Sequence, residues 1–213
     1  MKRLALLFAI FLCGITSGIA QEGNSYNGSL TFGIRAGYNL SNVASFIPHN
    51  ESSENRSATN FGVIANIKIN DNVVLRPGIY YSMKGENFPD HSEWNTSLNY
   101  LETPLLVVLQ KNLTEKIGLE LQAGFYFAYG VSSCYKTEVG SNLASDGKFY
   151  PVYEKVYPFK ENKFKRFDWG VNLGCGINFH NFYFGAAYEV GLYSFDRPNN
   201  FNHCFMINIG YNF

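Results

Sequence analysis

The sequence predicts an all-β fold: an eight-stranded antiparallel up-and-down transmembrane β-barrel. Three observations predict it. Along eight separate segments, apolar or aromatic residues alternate with small or polar ones, the period-two signature of strands with two unlike faces. The connections between those segments alternate long and short. Aromatics make up 17% of the 213 residues and charged residues only 16%, with 20 glycines, a balance that suits a membrane barrel, whose hydropathy signal is weak in each strand.

Residues 1–20 read as a cleaved secretory signal peptide, with residues 21–213 as one barrel domain. Lys2 and Arg3 form a basic start, Leu4 to Leu12 an apolar core, and Ser17 to Ala20 a small-residue cleavage site before Gln21. Gly14, Thr16, Ser17 and Gly18 break the run that a membrane anchor needs. Phe11 and Leu12 argue against lipid attachment at Cys13. Cleavage leaves 15 basic against 17 acidic residues, a balance that calls for no nucleic-acid partner. Three cysteines remain, Cys134, Cys175 and Cys204. They allow one bridge at most, between Cys134 and Cys204 near one barrel end, or three free thiols.

The first predicted strand runs over Leu30–Leu40, with Phe32, Ile34, Ala36, Tyr38 and Leu40 on one face and Gly33, Arg35, Gly37 and Asn39 on the other. A polar loop, Ser41–Ser57, follows. The second, Ala58–Ile69, directs Phe61, Val63, Ala65 and Ile67 outward and Gly62, Asn66 and Lys68 inward. A tight Asn70–Asn72 turn leads into the third, Val73–Lys84, with Arg76, Gly78, Tyr80, Ser82 and Lys84 inward. After the polar loop Gly85–Ser97, the fourth, Leu98–Gln110, alternates least cleanly. Its two faces carry Leu101 to Leu109 and Glu102 to Gln110. A turn at Lys111–Glu115 joins it to the fifth, Lys116–Gly130, with Phe125, Phe127 and Tyr129 outward and Glu120, Gln122, Gly124 and Tyr126 inward.

The longest predicted loop spans Val131–Lys165. The sixth strand, Arg166–Phe179, alternates most clearly: Phe167, Trp169, Val171, Leu173, Cys175 and Ile177 against Asp168, Gly170, Asn172, Gly174, Gly176 and Asn178. His180-Asn181 forms a two-residue turn to the seventh, Phe182–Tyr193, with Tyr183, Gly185, Ala187, Glu189 and Gly191 inward. The loop Ser194–Asn202 precedes the last strand, His203–Phe213, which ends in alternating aromatics of the kind that outer-membrane barrel assembly machinery reads. The strands run from about 11 to 15 residues, enough to reach or pass the roughly 9–11 a tilted strand needs to cross a bilayer. Long loops outside and short turns inside are the outer-membrane pattern, and an even strand count puts both termini in the periplasm.

Alternation alone does not say which face is inside. A soluble secreted, lipocalin-like barrel that binds a small ligand buries its apolar face. Here the apolar face carries the bulky rings and the polar face carries glycines and asparagines, so the small face suits the narrow lumen of eight strands. Trp169, Phe182 and Tyr211 fall near strand ends, where a membrane interface belt wants rings. Four cations (Arg35, Lys68, Arg76, Lys84) and four anions (Glu102, Glu120, Asp168, Glu189) then face inward. Equal numbers allow full pairing, read as a lumen charge network that fills the barrel, against the alternative of an ion path. Pro77 and Pro104 each remove a ladder hydrogen bond, and the sequence predicts a bulge where they lie opposite each other.

Phe32-Gly33-Ile34-Arg35-Ala36-Gly37-Tyr38-Asn39-Leu40-Ser41 and Tyr100-Leu101-Glu102-Thr103-Pro104-Leu105-Leu106 resemble the opening strand and the "Y-L-E-I-P-L-L" strand of the PorT-type outer-membrane β-barrel family of Bacteroidetes, with Thr103 in place of the usual Ile. Gly124 to Tyr129 and Ile209 to Phe213 fit that pattern too. The resemblance implies an eight-stranded outer-membrane barrel; one member class of the family supports protein secretion and gliding.

No Gly-x-Ser-x-Gly, His-Glu-x-x-His or phosphate-loop pattern is present. No catalytic, cofactor-binding or metal-binding set is assigned. An outer-membrane lipid-modifying enzyme is the catalytic alternative, resting on His49 and His91 with Ser52, Ser92 and Glu93 nearby. Lys148, Tyr150, Tyr153, Lys155, Tyr157, Lys160 and Lys163 interleave cations with rings in the longest loop, a candidate contact surface for lipopolysaccharide phosphates or an envelope or secretion protein. The expected function is non-enzymatic: a barrel with a filled lumen that acts through its outer loops as a surface, scaffold or secretion accessory protein.

Overall fold

The computed structural model describes residues 30–45, 54–87, 96–143, 149–161, 164–193 and 200–213. Nine strands form there: β1 (Leu30–Ser45), β2 (Glu54–Lys68), β3 (Val73–Asn87), β4 (Thr96–Asn112), β5 (Ile117–Leu143), β6 (Phe149–Val156), β7 (Phe167–Phe179), β8 (Phe182–Gly191) and β9 (Asn200–Asn212). Eight of them close on themselves in the order β4-β3-β2-β1-β9-β8-β7-β5, with β5 pairing back to β4. All these pairings are antiparallel. The expected signal peptide, residues 1–20, lies outside the described residues.

Local chemistry explains the short turns. The Asn70 Oδ1 atom accepts the backbone N–H groups of Asn72 and Val73 at 2.9 and 2.8 Å, and Thr114 Oγ1 accepts those of Lys116 and Ile117 at 3.2 and 3.0 Å. Such side-chain acceptors hold a turn without needing a glycine. His180 takes a φ of 54° in the two-residue connection of β7 and β8, as tight hairpins require. The chain end sits beside this turn, where Asn212 N–H donates to Asn181 O at 2.8 Å. Both ends of the described chain therefore lie at the barrel end that carries the short turns.

Orientation follows the size argument. Phe32, Phe61, Phe125, Ile207 and Leu173 are 51–59% exposed on the outer surface. Arg35, Arg76, Lys84, Glu102, Glu120, Asp168 and Glu189 are at most 4% exposed. This is the reverse of a soluble barrel, and it sets the lipocalin-like alternative aside. Rings gather at the turn end, where Tyr211 packs against Phe182 and Phe213 at 5.3 and 5.5 Å between centroids. The inner face is not wholly polar: Val74, Leu106 and Val108 form a small buried apolar cluster.

Two expectations need correction, and one open alternative is decided. First, the predicted loop at Val131–Lys165 is largely strand. β5 continues for 27 residues, and its upper part pairs with β6, Tyr135 opposite Val156 and Leu143 opposite Phe149. Pro151 sits within β6, and it is tolerated because, among the described residues, β6 has a neighbour on one side only. Second, Pro77 and Pro104 make no bulge between β3 and β4. The register is the same on both sides of them, Pro77 opposite Leu105 and Tyr80 opposite Glu102. Irregularities fall instead at Asn55/Asn60 and Asn99/Tyr100. Of the two alternatives left open for the cysteines, three free thiols form: Cys134, Cys175 and Cys204. Cys204 is buried in the lumen and Cys175 is exposed on the outer face, so their side chains point to opposite sides of the wall.

Replacing Phe125 by Arg at mid-strand should cost about 2–4 kcal/mol of folding free energy, whereas Tyr129→Arg near the loop end should cost roughly 0–1 kcal/mol. Urea-dependent folding into lipid vesicles, read by heat-modifiable migration, measures both; equal costs would contradict a lipid-facing band centred on Phe125.

Candidate functional site

Four strands bring the main ionic contacts together. β3 supplies Arg76 and Lys84, eight residues apart and so on the same inner face. β4, β5 and β8 supply Glu102, Glu120 and Glu189. Toward the turn end, Arg76 grips Glu120 through two parallel bonds, Nη1 to Oε2 at 2.7 Å and Nη2 to Oε1 at 3.0 Å. Gln110 and Asn178 donate to the same carboxylate at 2.7 and 2.5 Å. A buried ion pair is stable only when its remaining lone pairs are met in this way. Higher in the barrel, Lys84 Nζ lies 2.7 Å from both Glu102 and Glu189, and Asn172 donates to Glu189 at 2.8 Å.

The predicted pairing of four cations with four anions is not what forms. Lys68 pairs with Asp71 at 2.9 Å in the β2–β3 turn, with its side chain 40% exposed. It stands at the end of its strand, where its long side chain reaches water. Arg35 has no carboxylate partner among the described residues. Its guanidinium lies 4.3 Å from the centre of the Tyr183 ring and donates to Asn212 Oδ1 at 2.9 Å. Asp168 makes no ion pair among the described residues. Its Oδ2 accepts from Asn202 at 2.8 Å and Tyr126 at 3.3 Å, while its Oδ1 is buried with no partner. Two further guanidiniums, Arg56 and Arg166, donate to backbone carbonyls of Thr96 and of Gly130 and Phe159.

Among the described residues, the inner face borders a central cavity and a recess. A central cavity of about 30 Å³ is bordered by Arg35, Asn60, Glu102, Asn172 and Asn208, enough for one or two waters. A polar recess of about 210 Å³ lies at the turn end, around Asn66, Lys68, Gln110, Glu120 and Asn178. Arg76 borders both.

At the loop end, the segment after β6 turns into the barrel mouth. Pro158 and Phe159 are buried. Phe159 packs with Leu98, Tyr100, Tyr126 and Ala128, its ring edge-on to Tyr100 at 5.7 Å. Gly130 makes the room: a Cβ there would lie 2.4 Å from the Phe159 ring. The Phe159 N–H donates to Ser133 Oγ at 2.8 Å, and Arg166 donates to the Phe159 carbonyl. Nothing in the sequence singles out Phe159. The one available signal is that Gly130 sits on the inward face of a strand at the barrel mouth.

The predicted loop surface divides. Tyr153, Lys155, Tyr157 and Lys160 are exposed, and Tyr150 lies on β6. Lys148 and Lys163 lie outside the described residues, as do His49, His91, Ser52, Ser92 and Glu93, on which the lipid-enzyme alternative rests. Among the described residues no group of His, Cys, Asp and Glu is arranged to hold a metal ion.

Residues 19–197 match the family described as outer membrane protein beta-barrel domain. No curated protein matches the chain. Among solved structures, the fold is similar to the outer membrane protein OprG from Pseudomonas aeruginosa, 14% identical, covering 87% of this chain and 97% of that one with a TM-score of 0.48. It is also similar to Neisserial surface protein A, 12% identical over 88% and 99% with a TM-score of 0.46. Ail, the attachment invasion locus protein of Yersinia pestis, is 14% identical over 86% and 98% with a TM-score of 0.44.

Lys84→Met should destabilise the barrel by about 3–5 kcal/mol, because it leaves two buried carboxylates without a counter-charge. Adding Glu102→Gln and Glu189→Gln should recover more than half of that loss in detergent-micelle unfolding. No recovery would show that Lys84 matters for packing rather than charge.

Proposed function

The chain belongs to the outer membrane protein beta-barrel domain family, and from that premise we propose a non-enzymatic outer-membrane barrel whose lumen is a structural plug and whose working surface is its loop end. One observation carries this reading. The inner face is occupied by buried ion pairs and rings, while β5 and β6 continue past the barrel as a two-stranded ribbon. Eight strands leave room for side chains rather than a channel. A conduit needs a continuous wet path, and Lys84 with its two carboxylates, the Arg76–Glu120 pair and Phe159 lie across any such path.

The ribbon supports a contact role. Tyr153 and Tyr157 are 39% and 44% exposed, and Lys155 and Lys160 stand exposed beside them. Rings interleaved with ammonium groups favour phosphate-bearing lipid headgroups or an acidic protein face. Beyond the cations, β6 has an edge that is unpaired among the described residues and open to a partner strand. The short-turn end and both termini would then face the periplasm, with the ribbon outside. The Tyr100–Leu106 run of β4 favours a place in the PorT-type branch, and with it an accessory role in secretion or the envelope.

In planar lipid bilayers the purified barrel should show no steady conductance; stepwise currents of uniform size would refute the plug. Replacing residues 136–155 with a short Gly-Ser turn should leave heat-modifiable folding intact and abolish partner capture in a crosslinking pull-down from intact cells. Capture that survives the replacement would move the working surface elsewhere.

A further inference from the structure

We propose that the loop-side mouth is a binding site for a small organic ammonium ion, floored by Asp168 and occupied in this structure by the Phe159 ring. This goes beyond the surface role proposed above and does not depend on it.

Asp168 is 0% exposed and makes no ion pair among the described residues. One of its oxygens has two donors and the other has none. A buried carboxylate left half-satisfied is costly, and structures keep one only where something offsets the cost. A cationic donor at Oδ1 would also answer the local surplus of carboxylates, because Glu102 and Glu189 already share the ammonium of Lys84.

The walls suit a cation. Tyr126, which donates to Asp168, and Tyr100, whose hydroxyl accepts from Asn202 at 3.4 Å, stand beside it. These rings already host one ammonium group: Lys84 Nζ lies 4.4 Å from the Tyr126 centroid and 6.0 Å from that of Tyr100. An aromatic box over a carboxylate is the general chemistry of ammonium recognition. The space in that box is taken by Phe159, packed on Tyr100 and Tyr126. Phe159 supplies a ring of the right size but no charge, so it satisfies the walls and leaves the floor unmet.

Phe159 is held there by few polar bonds. Its N–H goes to Ser133 Oγ and its carbonyl receives Arg166, while its neighbours Tyr157 and Lys160 are exposed. An arylammonium ion of similar dimensions would replace the ring and bring the missing donor to Asp168 Oδ1. Occupancy would then be linked to release of the Pro158–Phe159 segment.

The test uses the full chain refolded in detergent at fixed ionic strength, with benzylammonium as probe and benzyl alcohol as its neutral match. Phe159→Ala should bind benzylammonium at least tenfold more tightly than benzyl alcohol, read by the shift in unfolding midpoint. Adding Asp168→Asn should erase that preference. Equal binding of the two probes would show an apolar hole and overturn the proposal, as would failure of a folded Phe159→Ala barrel to bind either. Should that variant not fold, the wild-type chain decides. Benzylammonium, and not benzyl alcohol, should speed hydrogen exchange at the Phe159 amide, and unchanged exchange would overturn the site.

Discussion

Backbone satisfaction in a medium without water governs this molecule. Within hydrocarbon every N–H and C=O needs a partner from the chain itself. Two seams meet that demand: β1 with β9, which joins the first strand to the last, and β4 with β5. Once the sheet closes at eight strands, the width of the lumen is set. Glycines and asparagines then belong inside and rings outside. Above the closed barrel, β6 pairs only with β5 among the described residues.

The narrow lumen creates the second constraint. Polar side chains that cannot reach water must satisfy one another. Glu120 is met four times over, by Arg76 twice, Gln110 and Asn178. Lys84 is divided between two carboxylates. Arg35 uses the face of Tyr183 in place of an acid. Asp168 makes no ion pair among the described residues and leaves one oxygen without a donor, beside Tyr126, a ring on which Phe159 also packs. The Lys84 ion pairs and the candidate ligand site thus share one wall, formed by Tyr100 and Tyr126.

Much of the fold was legible in the residues themselves. The eight barrel strands, their facing and their turn ends follow from alternation because a strand's side chains must point to opposite sides. Inward charges were legible for the same reason, down to Arg76, Glu120, Lys84 and Glu189. The upper half of β5 and all of β6 were not. Pro151 and Pro158 read as loop residues, and a ribbon outside the membrane carries no lipid-facing face to mark it. The absent bulge at Pro77 was equally hidden, since a lost ladder bond does not by itself say whether the register shifts.

The one-dimensional pattern thus determined which residues face lipid and which face each other, because the period of a strand and the size of a side chain act locally. Only the tertiary structure decided who pairs with whom across the lumen. That choice depends on strand stagger and height, which brought Lys84 to Glu102 and Glu189, sent Lys68 to Asp71, and left Asp168 with no ion pair among the described residues.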